Sequence, residues 1–293
     1  MTKLGNRHSR AKKAGTAMMV LLSLPPAFAS PSGQEAGDTY ELTHSYRTTS
    51  QASDKSSGSS NGSTSIFERV IAIRDSGVEL EYDLPPDATA DDRAREWQFP
   101  ARVLRGSTGR TVLLNRAELE ARLEIWLAKA ELSKDDCGRV IFTWNAFRIE
   151  CDPQTVLKII DALDLSSTDL REGALYRETG VREAGRLTHT PSNDFRVVLE
   201  IDPEAVRRTR AESDVIVGNL MRKPVTLETA LKARADEQIT GTVTVTFEAD
   251  GGNVRRRTSV TQIETKRADG WSQRETDERT IERRPVRATP AEK

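Results

Sequence analysis

The sequence predicts an α+β fold: antiparallel sheet contributed by N- and C-terminal meanders, with about four helices packed against it around a mid-chain hairpin. Three observations carry that expectation. Period-two alternation marks both ends, with Val78, Leu80, Tyr82 and Leu84 set against Glu79, Glu81 and Asp83, and Ile239, Val243, Val245 and Phe247 set against threonines. Helical stripes with capping residues fall only between about residue 88 and residue 237. The connections are short, which argues for one continuous domain or two lobes sharing a sheet. The 293 residues are 36% apolar and 30% charged, enough for a sizeable core and unlike a membrane bundle, a collagen or a small disulfide scaffold.

The elements follow in order. Residues 30–38 form a small-residue lead-in. Tyr40, Leu42 and Tyr46 start a strand, and Ser50 to Ser63 reads as a flexible Ser/Gly loop. Ile66–Arg74 is a second strand, Asp75-Ser76-Gly77 a turn, and Val78–Leu84 a third strand with one wet face. Pro85-Pro86 ends it, and residues 88–97 have helical composition. Val103 and Val112–Leu114 flank a Gly-rich turn. Asn115 with Glu118 looks like a capping box for a helix whose stripe is Leu119, Leu123, Trp126, Leu127 and Ala130. Asp152-Pro153 opens a helix with Val156, Ile159, Ile160 and Leu163 inward. Residues 171–201 look extended. Asp202-Pro203 opens a helix to about Met221, and Thr226 opens another to about Glu237. Three strands close the chain, Ile239–Glu248, Val254–Lys266 and Trp271–Arg283. The last two are mostly Arg, Glu, Thr and Gln, so they should lie largely in water, with their charges resisting edge-to-edge association. The domain is expected over 39–284, whole or as lobes 39–165 and 170–284, with a flexible tail at 285–293.

The first 29 residues differ from the rest. Lys3, Arg7, Arg10, Lys12 and Lys13 precede an apolar stretch, two prolines break it, and Ala27-Phe28-Ala29 offers a small-x-small cut between Ala29 and Ser30. This is the layout of a secretory signal peptide, and the apolar run is too short to span a bilayer comfortably. The expected destination is the periplasm or the extracellular space. Without that segment's five cations, 39 Lys+Arg face 45 Asp+Glu, a formal net charge of −6. So acidic a chain has no general hold on phosphate backbones, and nucleic acid is not an expected partner.

Export also bears on the two cysteines, Cys137 and Cys151, since an oxidising compartment favours their pairing. Val140, Phe142, Phe147 and Ile149 alternate around Trp144-Asn145, which reads as a β-hairpin with a cysteine at each mouth. A bridge there closes a loop that contributes about 3 kcal/mol in the chain-entropy model. A redox pair normally has two residues between its cysteines, so a structural staple is the reading.

Catalytic motifs are thin. Gly58-Ser59-Ser60-Asn61-Gly62 has the G-x-S-x-G form, but no apolar strand leads into it and no helix follows, so it reads as linker. Asp75-Ser76-Gly77 resembles the aspartic-protease loop in a single copy, and a hairpin turn is the simpler assignment. His44 and His189 are the histidines left after the leader, and neither stands in a sequence pattern that marks a triad. Asp91-Asp92 and Asp135-Asp136 lack calcium-loop spacing. No metal or nucleotide motif is present, so no cofactor is expected. Trp97, Trp126 and Trp144 read as core, whereas Trp271 opens a polar strand and is the candidate partner contact.

These readings favour an exported, non-catalytic protein that binds an envelope protein or an apolar small ligand. One alternative is a hydrolase whose carboxylates converge only in the fold. Another is a structural interaction module. A curved sheet holding helices on its concave face would resemble, in shape alone, the bacterial lipoprotein carriers; no motif carries that resemblance.

Overall fold

The computed structural model describes residues 34–107, 109–142, 146–165, 168–250 and 253–286, with the backbone alone at 141, 142, 146 and 147. The expected leader, its cut between Ala29 and Ser30, and Trp144 lie outside the described residues. The described residues form one compact unit.

The strands are β1 (Thr39–Ala52), β2 (Ser57–Arg74), β3 (Gly77–Asp83), β4 (Ala101–Gly106), β5 (Thr111–Leu113), β6 (Val140–Phe142), β7 (Ala146–Arg148), β8 (Leu175–Tyr176), β9 (Gly185–Arg186), β10 (Thr188–His189), β11 (Phe195–Glu200), β12 (Gln238–Asp250), β13 (Asn253–Lys266) and β14 (Ser272–Pro285). The helices are α1 (Ala90–Arg95), α2 (Arg116–Lys129), α3 (Thr155–Leu163), α4 (Pro203–Leu220) and α5 (Leu227–Ala233). The class is α+β. Ten strands form one antiparallel sheet in the order β10-β11-β12-β13-β14-β1-β2-β3-β4-β5, and β6-β7 and β8-β9 are separate hairpins.

The two meanders meet in the middle of that sheet. β1 pairs β14 from Tyr40↔Pro285 to Ala52↔Gln273, so the first and last strands are neighbours. This revises the expectation for the charged C-terminal strands. β13 and β14 are interior, and their backbone groups are paired on both sides, so edge protection is not what their charges do. The expected loop at 50–63 is also revised. β1 runs to Ala52 and β2 starts at Ser57, leaving a four-residue connection. Low β-propensity at Gly58, Ser59, Ser60 and Gly62 is overridden because each residue pairs with β1, in the register Gln51↔Ser57 through Tyr46↔Gly62.

Residues paired across adjacent strands share a sheet face. On the helix-covered face, one flank carries Phe195, Val197 and Leu199 of β11 with Val243, Val245 and Phe247 of β12. The other flank carries Val70, Leu80, Tyr82, Ala101, Val103 and Leu113. Together with Leu119, Leu123 and Leu127 of α2 and Val156, Ile160 and Leu163 of α3, they form one continuous core. Burying such side chains stabilises by about 1.5–3 kcal/mol each. The β2–β3 turn is tight: a Cβ on Gly77, at φ +142°, would lie 2.1 Å from the Arg105 carbonyl oxygen. Any other residue there would push β3 off β4.

Local details depart from expectation in three places. Asn115 does not cap α2 with its side chain; its Oδ1 accepts the Arg102 N–H at 2.9 Å and its Nδ2 donates to the Pro100 carbonyl at 3.1 Å, tying the helix start to β4. Helix α3 begins at Thr155, because the Asp152 carboxylate first accepts the Gln154 N–H in a tight turn. Ile159 is exposed, since Val156, Ile160 and Leu163 already fill the inward stripe.

Candidate binding surface

Cys137 and Cys151 are bonded, with Cα atoms 5.7 Å apart at the mouth of the β6–β7 hairpin. The Gly138 N–H donates to the Ile149 carbonyl and the Ile149 N–H to the Arg139 carbonyl, which closes the hairpin just inside the bridge. The pair is a staple on a hairpin that stands apart from the main sheet.

Three glutamates are buried, and each is held by guanidinium groups. Glu68 lies on β2 on the same face as Ile66 and Val70. Its Oε1 accepts from Arg283 Nη2 at 2.7 Å and Nε at 3.1 Å, and its Oε2 accepts from Tyr82 Oη at 2.8 Å. Tyr82 Oη in turn accepts from Arg105 Nη2 at 2.8 Å, and Arg105 pairs with Asp164 at 3.2 Å. The Arg283 guanidinium also sits 3.3 Å over the Tyr40 ring. Burial, and then the Glu68 charge, push the Tyr82 hydroxyl well above its ordinary range, so it stays a donor. Glu79 lies under Arg102 and Arg74, whose hydrogen bonds hold its carboxyl below the usual range. Glu237 sits among Arg234 at 3.0 Å, Arg267 at 3.1 Å and Arg210 at 3.8 Å, while Arg207 donates to its backbone carbonyl.

Guanidinium partners favour charged carboxylates, whereas a general acid needs one kept protonated. Asp161, at the end of α3, is raised by burial and then by Asp164, but Asp164 is already engaged by Arg105. The Glu68 and Glu79 carboxylates are hydrogen-bonded within the fold, whereas Glu237 Oε2, 3.8 Å from Arg210, accepts no hydrogen bond from the described residues. The histidines are not assembled into a triad with them. His189 is exposed and tilts against Phe195 at 4.3 Å. His44 is half-buried on β1, its pKa lowered by burial and by Arg279, with Asp277 opposing. Ser59 and Ser60 lie within β2, near its start, and not at an elbow.

Two surface hollows are described. One lies between α4 and α5, lined by Asp202, Glu204, Arg207, Arg208 and Leu231 among others. The other lies at the β1–β2 end of the sheet, lined by Thr49, Gln51, Ser57, Ser59, Arg274 and Thr276 among others. Both are open; the first sets apolar Ala205, Leu231 and Ala235 beside its charged side chains, and the second is lined mainly by hydroxyl and other polar groups.

The second hollow belongs to a larger feature. In the centre of the sheet, the face turned away from the core carries cross-strand rows of hydroxyls. One row runs Thr246, Thr258, Thr280, Ser45 and Ser63 over five strands, another runs Thr242, Thr276, Thr49 and Ser59 with the Gln262 carboxamide among them, and the row between them is Thr244, Val260, Glu278, Arg47 and Asn61. Neighbours within a row are set by the ladder at about 4.8 Å. Thr258 and Thr280 approach to 3.3 Å, and Thr43 and Ser65 to 3.0 Å. The opposite face of the same strands carries Ser259, Thr261, Asp277, Arg279, Tyr46 and Thr48, where Thr48 Oγ1 donates to Asp277 at 2.8 Å. The strand ends are laced together: the Ser53 N–H donates to the Ser272 carbonyl, and the Ser272 N–H donates to Ser53 Oγ. Trp271 stands at this end, half-buried, with the Arg267 guanidinium 4.3 Å over its ring and its N–H on Asp269. The structure thus places Trp271 at the border of the hydroxyl panel.

Sequence reasoning missed the glutamate clusters. A signal was present for Glu68, because the alternation Ile66, Glu68, Val70 sets a charge on an apolar face. Its partner Arg283 lies 215 residues away and no local pattern points to it. The panel was missed because its β2 strand was read as a loop.

No protein-family model and no curated protein matches the chain. Among solved structures, a lipovitellin structure concerned with lipid–protein interactions aligns over 88% of this chain and 26% of its own, at 10% identity and a TM-score of 0.35. A conserved hot-dog-fold protein of unknown function from Alicyclobacillus acidocaldarius aligns over 88% and 83%, at 10% identity and a TM-score of 0.10. This chain therefore spans about a quarter of lipovitellin's length. Among the described residues, no helix is long and apolar enough to cross a membrane.

Proposed function

We propose that the chain is an exported, non-catalytic envelope protein that engages a protein partner through the hydroxyl panel and its Trp271 border. The observation that carries this reading is the panel itself. Strands β1, β2, β13 and β14 are 14 to 18 residues long, and over much of that length both of their faces are polar. A core-building strand needs one apolar face, so these segments are longer than the core requires. Direct backbone pairing holds the panel's strands in fixed register, which lowers the ordering cost of binding. The disulfide and the basic-apolar leader in the sequence support export. Binding of an apolar small ligand has less support, because the apolar floor of the sheet is occupied by the protein's own helices.

The test is photo-crosslinking in the native envelope. A crosslinker at Thr49 or Thr276 should yield a discrete adduct with one envelope protein, while a crosslinker at Glu120 on α2 should not. Adducts absent from both panel positions, or equal at all three, would overturn the reading.

A further inference from the structure

We infer that the C-terminal end of α4 is a docking surface for an anionic lipid bilayer. It is a different surface from the hydroxyl panel, and the inference does not rest on the partner reading. Ile216, Val217 and Met221 are 39%, 55% and 67% exposed, and with half-buried Leu220 they form one stripe through the i, i+4 pairs Ile216/Leu220 and Val217/Met221. Four apolar side chains on one exposed helix face make a patch, unlike the single exposed Ile125 of α2. The chain then continues Arg222-Lys223, both exposed and neither in an ion pair with any described residue. Of the two acids one turn before the stripe, Asp214 is taken up by Arg234 at 2.7 Å and Glu212 stays exposed, on the far side of the stripe from Arg222 and Lys223 along the helix. Apolar side chains rimmed by unpaired cations match the boundary of an anionic membrane, where the apolar groups enter the acyl edge and the cations meet headgroup phosphates.

The backbone gives an independent reason. Helix α4 ends in a Schellman turn: the Lys223 N–H donates to the Gly218 carbonyl at 2.8 Å and the Arg222 N–H to the Asn219 carbonyl at 3.1 Å. The left-handed residue of that turn, where glycine is favoured, is Arg222 at φ +56°. An arginine held there at a conformational cost fixes a cation beside the apolar stripe. Gly218 is needed for the fold-back, since a Cβ would meet the Lys223 carbonyl oxygen at 2.8 Å. The tip is therefore a rigid presentation of four apolar groups and two cations.

The experiment is co-sedimentation of the mature, oxidised protein with phosphatidylcholine vesicles and with vesicles of equal parts phosphatidylcholine and phosphatidylglycerol. Binding to the anionic vesicles, little binding to the neutral ones, and a decrease with added salt are expected. Each cation near an anionic surface is worth about fivefold in partition, so Arg222→Glu with Lys223→Glu should weaken binding at least about tenfold. Val217→Asp with Met221→Asp should do the same, and Ile125→Asp should leave binding intact. Arg222→Gly separates docking from folding: it should raise the melting temperature by relieving the left-handed residue and yet weaken vesicle binding several-fold. Equal binding to both vesicle types, no binding to either, or loss in Ile125→Asp equal to that in the tip variants would overturn the inference. So would unchanged binding in Arg222→Gly. None of these outcomes involves the hydroxyl panel or its crosslinks.

Discussion

Within one sheet, the row Val197–Val245–Ser259–Arg279–Tyr46–Gly62 changes chemistry without changing register. On β11 and β12 its members are buried and apolar under the helical layer. Two strands further on they are polar or exposed. The flank is held by side-chain burial, and the centre by ladder hydrogen bonds and by being locked between two flanks. Because the centre contributes little burial, its side chains are free to present a surface. A sheet can thus separate the strands that stabilise it from the strands that meet the outside, while keeping both on one rigid frame.

That division predicts a wide gap in mutational cost. Phe247 is fully buried, with Tyr176 edge-on to it at 5.1 Å. Phe247→Ala should cost about 3–5 kcal/mol in urea unfolding, and a loss below about 1 kcal/mol would break the comparison. Glu68 sits where flank meets centre. Glu68→Gln leaves Arg283 and Tyr82 facing a neutral partner in a buried site and should cost about 3 kcal/mol. Adding Arg283→Met should recover part of that loss, and a strictly additive double mutant would show that the two side chains are not coupled.

The outward face offers a pH test. Arg102, and then Arg74, depress the Glu79 carboxyl in the fold below its ordinary value of 4.5. The unfolded chain therefore binds the proton more readily. The stabilisation is complete above the ordinary value and is lost as pH falls from there toward the folded value. Melting temperature followed from about pH 6 down to pH 3 should drop less steeply in Glu79→Gln than in the parent. Parallel curves would remove Glu79 from the account. The smallest effect belongs to the panel. Thr49→Lys and Thr276→Lys should each change stability by less than about 0.5 kcal/mol while abolishing the panel crosslinks. A loss above about 1 kcal/mol would mean that the hydroxyl rows are structural and not a free surface.

Much of the frame was legible along the chain. The alternation from Val78 to Leu84, the turn at Asp75-Ser76-Gly77, the Asp202-Pro203 start of α4 and the Cys137–Cys151 hairpin each depend on neighbours a few residues apart, where side-chain period, turn conformation and capping act. The strand at Ser57–Thr64 was not legible, because its own residues favour a loop and only pairing with β1 holds them extended. The same holds for the buried cluster that joins Glu68 to Arg283, and for the place of the polar strands β13 and β14 in the middle of the sheet. Local sequence determined which segments are strands and helices wherever an apolar period exists. Tertiary structure decided which strands are neighbours, because the pairing of β1 with β14 joins segments more than two hundred residues apart, a closure that no local pattern encodes.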